Sequence, residues 1–201
     1  MKKLIAFIFL LTTINGISQN RNWSTKTSKD GKTVVKYDIV KNNGKTHIYY
    51  TAETKGDVSI EKIENYFSVS ENHKQFLENT TKSEQVKKTS DTEWTTYYYF
   101  DAPWPMPNSD AVLNFKTTKT NTTIAFTGTS APKSYKTTDV KRMEIYNIKY
   151  SFEKINDNST KVIISADFVP IGSVPKWLLK GWFPKGPAGI ASRLLKEASK
   201  Q

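Results

Sequence analysis

Residues 101–110 read DAPWPMPNSD, with three prolines in five positions around one tryptophan, directly after the aromatic run WTTYYYF of residues 94–100. Proline fixes φ and has no backbone donor, so Pro103, Pro105 and Pro107 cannot sit inside a sheet ladder. Each also pushes the residue before it toward extended geometry. The stretch is therefore a rigid, non-helical corner that ends one strand and aims the next.

Strands are expected on both sides of that corner. EWTTYYYF precedes it, and AVLNFKTT, TTIAFTG, KRMEIYNIKYSFEKI and TKVIISADFVP follow it, all rich in β-branched and aromatic residues. NDNST makes a turn between the last two. In the fourth strand Tyr146, Ile148, Tyr150 and Phe152 share one face, with Arg142 and Glu144 expected to continue it. In the fifth, Val162, Ile164, Ala166 and Phe168 share a face. Further upstream, NRNWSTKTSKDG reads as a short lead with Trp23 as a packing anchor. KTVVKYDIV and KTHIYYTAET are two strands around KNNG, an Asn/Gly hairpin signal.

Between this hairpin and the later strands the period changes. DVSIEKIENYFSVSENHKQFLEN places Ile60, Ile63 and Phe67 on one helical face, with Asp57 or Ser59 as cap, and a second short helix carries Phe76 and Leu77. After Gly172 the pattern is helical again, with Ser173 as N-cap and Pro175 in the first turn, where its missing donor is harmless. Trp177, Leu178, Trp182, Ile190, Leu194 and Leu195 continue an apolar stripe that GWFPKGPAG interrupts, which predicts a kink or two helices in series. This order points to an α+β fold, a curved antiparallel β-sheet wrapped around a long C-terminal α-helix with a hydrophobic cavity between them.

The first residues stand apart. MKK is a basic segment, LIAFIFLLTTI a short apolar one, and Gly16-Ile17-Ser18 supplies small residues, so residues 1–18 are expected to be a signal peptide cleaved near Ser18–Gln19. Residues 19–201 then form a single domain exported to the periplasm or secreted. The 201-residue chain has no cysteine, so neither disulfides nor thiolate chemistry enter, and a lipoprotein anchor is excluded. The net charge of +11 invites a nucleic-acid reading, but only Arg21, Arg142 and Arg193 are arginines and the lysines are scattered. A lysine-rich solvated surface with some attraction to anionic membranes is the expectation, with no nucleic-acid partner.

The corner also carries a resemblance. APWPMPNSDAV resembles the PWP…D.V signature of START domains, the lipid-transfer modules related to the steroidogenic acute regulatory protein. VSIEKIENYF is similar to the helix that precedes their sheet, and TEWTTYYYF to the strand that feeds the corner. Val140 and Arg142 lie near the family's recurring Val-Arg, and ADFVPIGSVPKWLLKG is similar to the junction that opens the closing helix. The similarity runs from about Trp23 to Leu195. It implies a helix-grip fold whose sheet grips the C-terminal helix around a tunnel for one hydrophobic molecule, commonly a lipid. Many START domains carry SDRD after PWP, with an Arg that reaches into the cavity. Here the aligned residues are Pro107, Asn108, Ser109 and Asp110, with Ser109 in the Arg position, so a ligand recognised through that charge is not expected.

No catalytic constellation emerges. His47 and His73 read as surface or structural histidines, two histidines without cysteine make a poor zinc site, and no Gly-rich phosphate loop occurs, so no metal or cofactor is expected. The expected ligand cavity is lined by Tyr98, Trp104, Tyr146, Tyr150, Phe168, Trp177 and Leu178, with Trp104 wedged under the corner as core. Inward tyrosines need a partner for a buried hydroxyl, which a lipid head group or water supplies. Arg142 and Glu144 form either an ion pair at the sheet rim or a polar anchor at the tunnel end. Trp177, Leu178, Trp182 and Phe183, among Lys176, Lys180, Lys185, Arg193 and Lys196, either face a membrane as a gate or turn inward as core with the lysines as ordinary solvated surface. The leading reading is a monomeric, non-enzymatic carrier of one lipid or other hydrophobic small molecule, in transient contact with membranes. The alternative is an enzyme on the same scaffold, polyketide cyclase- or aromatase-like, with Glu144, Tyr146 or Asp167 as acid or base. A third reading is a surface-binding or interaction module without a cavity, which a solid core would favour.

Overall fold

The computed structural model describes residues 21–201, so the expected signal peptide lies outside the described residues. The chain begins with a short strand, β1 (Ser24–Thr27), paired to β2 (Val34–Asn42), which leaves Trp23 43% exposed rather than anchored in the core. β2 and β3 (Lys45–Gly56) form the expected hairpin. Asn43 and Gly44 have φ of 49° and 77°, the left-handed pair that a tight two-residue turn requires.

Helix α1 (Ile60–Phe67) follows, with Ser59 as its N-cap, and it buries Ile60, Ile63, Tyr66 and Phe67. After a 3-10 turn at Ser70–Asn72 comes the single turn of α2 (His73–Phe76). β4 (Thr80–Lys88) is a polar, lysine-bearing strand with little periodic signal, as suits the sheet edge it occupies. β5 (Glu93–Phe100) runs into the proline corner and β6 (Ser109–Lys119) leaves it. β7 (Thr123–Ser130), β8 (Lys141–Arg142), β9 (Tyr146–Asn156) and β10 (Ser159–Phe168) complete one ten-stranded sheet. Its order is β1-β2-β3-β10-β9-β7-β6-β5-β4, and β8 alone runs parallel, beside β6.

Two expectations fail here. The stretch KRMEIYNIKYSFEKI is two elements, because the chain leaves the ladder after Arg142 and rejoins the sheet beside β10 at Tyr146. Arg142 and Glu144 therefore do not continue the Tyr146 face. Ser173 is also not a cap: α3 (Lys176–Trp182) opens on Pro175, with no side-chain cap bond. The break in the closing helix does occur, with α4 (Lys185–Ala198) starting after Phe183-Pro184.

The period-two pattern sets the core. Tyr50, Ala52, Ile148, Tyr150, Phe152, Val162, Ile164 and Ala166 stand in cross-strand register on one face and are buried. Across that face lie α1, α2 and α4. Ile190, Ala191, Leu194 and Ala198 of α4 point down, and Leu195 lies so close to Gly56 that a side chain there would collide with it.

Candidate functional site

The space between sheet and helices has two chemically different ends. At one end the ring of Phe67 stacks on Phe126 at 4.4 Å, with Phe115 at 5.9 Å and Phe152 at 6.2 Å. Trp94 closes that end by stacking on Phe115. At the other end Tyr37 stacks on Phe183 at 4.1 Å, Tyr50 meets the edge of Trp182 at 5.7 Å, and Tyr146 packs between Phe100 and Phe168.

Four tyrosines, Tyr50, Tyr98, Tyr146 and Tyr150, bring their hydroxyls to this second end. Burial raises all four phenols well above their ordinary range, and proximity to Tyr146 raises Tyr50, Tyr98 and Tyr150 further. All four are neutral at pH 7. Behind them sits His73, 1% exposed, its pKa lowered to about 4 by burial and so also neutral. Its Nε2–H donates to the Phe67 carbonyl at 2.7 Å, which leaves Nδ1 as an acceptor for the Tyr98 hydroxyl at 2.5 Å. The hydroxyls of Tyr50, Tyr146 and Tyr150 have no protein hydrogen-bond partner among the described residues, and their rings belong to or pack against the core.

The expected site residues divide accordingly. Tyr98, Tyr146, Tyr150 and Phe168 line the inner face, and Leu178 packs against the core. Trp182 and Phe183 do not face outward. Phe183 is 2% exposed inside the chamber, and Trp182 is half-buried, its Nε1–H donating to Glu78 Oε2 at 3.0 Å. Gly186 permits this, since any side chain there would run into the indole. The outward tryptophans are instead Trp104, 92% exposed, and Trp177, 74% exposed. A turn closed by Met106 N–H on the Pro103 carbonyl swings Trp104 away from the core, and the first turn of α3 buries Leu179 rather than Trp177.

Arg142 and Glu144 are not chamber residues either. Arg142 grips the fully buried Asp110 with two bonds, Nε to Oδ1 at 2.9 Å and Nη2 to Oδ2 at 2.7 Å, and donates to the carbonyls of Pro132, Tyr135 and Lys136. Asp110 stands opposite Tyr99, on the outer face of the sheet, so this cluster pins the 131–142 loop rather than anchoring a ligand. Asp110 in turn holds the Arg142 guanidinium above its ordinary pKa. Glu144 is exposed and paired with Lys45 at 2.9 Å, which lowers its pKa, so the expected Arg142–Glu144 pair does not form. Asp167 lies on the outer face, opposite Tyr49.

An open groove of about 1740 Å³ adjoins the chamber, walled by the β2–β3 hairpin, Pro107-Asn108, residues 139–145 and residues 169–176. Tyr37, Ile39 and Val174 are core residues that also line it, while Lys41, Lys45, Lys141, Lys176 and Lys180 give it a cationic rim. A side chain at Gly172 would press on Pro107, so the loop of Trp104 and the junction leading to Trp177 meet at this end. On the far side of α3, Lys26 Nζ donates to the carbonyls of Lys180 and Phe183 at 3.2 and 3.1 Å, capping the helix from β1. The residue patterns did not single out Tyr50 and Lys26, and they left His73 as a surface or structural histidine, the second of which it is. Tyr50 was within reach, being on the inward parity of its strand.

No family model matches the chain, and no curated protein does. Solved structures do. A STAR-related lipid transfer protein fragment from Xanthomonas axonopodis matches 89% of this chain and 99% of its own, at 21% identity and a TM-score of 0.74. Human StAR-related lipid transfer protein 5 matches 92% of this chain and 89% of its own, at 16% identity and a TM-score of 0.71. An aromatase/cyclase from a Streptomyces species matches less of the chain, 76%, at 9% identity and a TM-score of 0.56. The architecture is thus helix-grip, a curved antiparallel sheet closed by a C-terminal helix. Within that class the chain has the START fold.

Proposed function

We propose that the protein binds one hydrophobic or lipid molecule between its sheet and its C-terminal helices and carries it without chemical change. The observation that carries this reading is the tyrosine cluster on the inner face of the sheet, where the hydroxyls of Tyr50, Tyr146 and Tyr150 meet an aromatic interior without a protein partner. A buried hydroxyl left unpaired is costly, so such a cluster suits a site that receives a polar group on an otherwise apolar guest. Each methylene of that guest transferred from water contributes about 0.8 kcal/mol.

Entry runs past α3, which reaches the chamber through Leu179, Trp182 and Phe183 and is clasped by Lys26. Membrane contact falls to Trp104 and Trp177, aromatic groups of the kind that settle at head-group depth, with Lys176 and Lys180 beside them. The protein acts as a monomer outside the cytoplasm after loss of residues 1–18. Of the candidate acids and bases, Glu144 is exposed, Asp167 lies on the outer face and Tyr146 alone meets the interior, where the other acid–base group is the Tyr98–His73 pair. Both ring nitrogens of His73 are already engaged, which leaves it neither lone pair nor proton for a substrate.

Native mass spectrometry of protein purified from its own host tests the proposal. One amphiphile per mature chain, recoverable by solvent extraction, is the expected result. Protein that is ligand-free in every preparation and extracts no lipid from vesicles would overturn it.

A further inference from the structure

We propose that the chamber selects an uncharged amphiphile whose head offers hydroxyl or carbonyl groups, such as an acylglycerol or a fatty alcohol, over fatty acids, phospholipids and cationic lipids. This inference rests on the carrier reading and deepens it.

The argument is about what the inner face lacks as well as what it holds. Buried acidic side chains are Asp38 and Asp110, and both belong to the outer face, in register with Tyr49 and Tyr99. Ser109, the polar residue at the inward position beside Phe100, carries no charge. His73 stays neutral down to about pH 4, and its free nitrogen is taken by Tyr98. A charged head group entering this end would lose its hydration and find no counter-ion on the sheet face, a penalty larger than hydrogen bonds from phenols offset. An uncharged head meets a matched set. The Tyr98 oxygen, its proton committed to His73, accepts, while Tyr50, Tyr146 and Tyr150 are free both to donate and to accept.

Two charged groups lie on the helix side: Glu78, whose Oε2 already accepts from Trp182 Nε1–H at 3.0 Å, and Arg193. Arg193 donates from Nε to the Phe76 carbonyl at 2.9 Å, and its Nη2 is buried without a partner. A carboxylate would seek that group. It sits between α2 and α4, however, and not on the sheet face where the four phenols gather.

The test uses the full chain and phosphatidylcholine vesicles that sediment. They are doped in turn with radiolabelled monopalmitin, palmitate, hexadecyltrimethylammonium or hexadecane, and label is counted in the supernatant with the protein. Monopalmitin should be extracted at least fivefold better than each charged probe. It should also exceed hexadecane by roughly fivefold for each hydrogen bond made to the head. In the double variant Tyr146→Phe, Tyr150→Phe the monopalmitin advantage over hexadecane should collapse while hexadecane uptake holds. Tyr150→Phe alone should halve the advantage or more, which keeps the comparison available if the double variant folds poorly. Palmitate at par with monopalmitin would overturn the inference and hand the head group to Arg193. Hexadecyltrimethylammonium at par would overturn it in favour of ring faces reading a cation. An unchanged advantage in both variants would overturn it as well. Extraction of none of the four probes would defeat the carrier reading itself, and this inference with it.

Discussion

The two ends of the interior are built on the same strands and differ by a few oxygen atoms. Phe126 and Phe152 on β7 and β9 are fully buried among carbon atoms, in register with Tyr150 and Ile124. Further along β9, Tyr150 and Tyr146 put hydroxyls into the interior with no protein group to bond. A core optimised for stability alone would carry phenylalanine at both ends, since an unpartnered phenol adds desolvation cost and no packing. The first end holds the fold, and the second trades some stability for a place to receive a guest.

Breaking the apolar end should cost most. Phe126→Ala removes a ring in contact with Phe67, Trp94 and Phe152, and chemical denaturation should show a loss of about 3–5 kcal/mol. Ligand preference, measured on whatever protein remains folded, should not change.

The seam between the ends is His73, which stacks on Phe67 and bonds Tyr98. Its folded pKa of about 4 lies below the ordinary 6.5, so the unfolded chain takes up the proton first as pH falls. Stability from this group is complete above about pH 6.5 and drains away by about 3 kcal/mol on the way down to pH 4. The difference in unfolding free energy between wild type and His73→Gln, followed across that window, isolates the effect. A flat difference would mean that His73 is not the buried neutral group described.

Two tyrosine substitutions sharpen the contrast at the phenolic end itself. Tyr98→Phe strands the Nδ1 acceptor of His73 and should cost about 1–3 kcal/mol. Tyr150→Phe removes a hydroxyl that bonds nothing in the protein, and its unfolding free energy should stay within about 0.5 kcal/mol of wild type or rise. Equal losses for the two would erase the distinction drawn between them.

Alternation made much of this legible in the sequence. Tyr146, Ile148, Tyr150 and Phe152, and Val162, Ile164, Ala166 and Phe168, fall on the inner face as the period of two requires, and the proline corner separates β5 from β6. Where period is lost, residue type misled. Trp104 reads as core and Trp177 as cavity lining because tryptophan is large and apolar, yet one sits on a proline-built turn and the other in the first turn of a short helix. Arg142 reads as part of the tyrosine face because the chain's exit from the ladder at Met143 leaves no mark in a run of strand-forming residues. His73 is flanked by polar neighbours in ENHKQF, and its partner Tyr98 is 25 residues away, so its burial follows from packing that no local pattern encodes.

The central claim is that the phenolic end is the ligand end, and photo-crosslinking tests it most directly. A monoacylglycerol carrying a diazirine next to its head, irradiated in complex with the full chain, should label peptides containing Tyr50, Tyr98, Tyr146 or Tyr150. Label confined to the Phe126–Phe152 end, or to the outer groove around Lys141 and Lys176, would contradict the account.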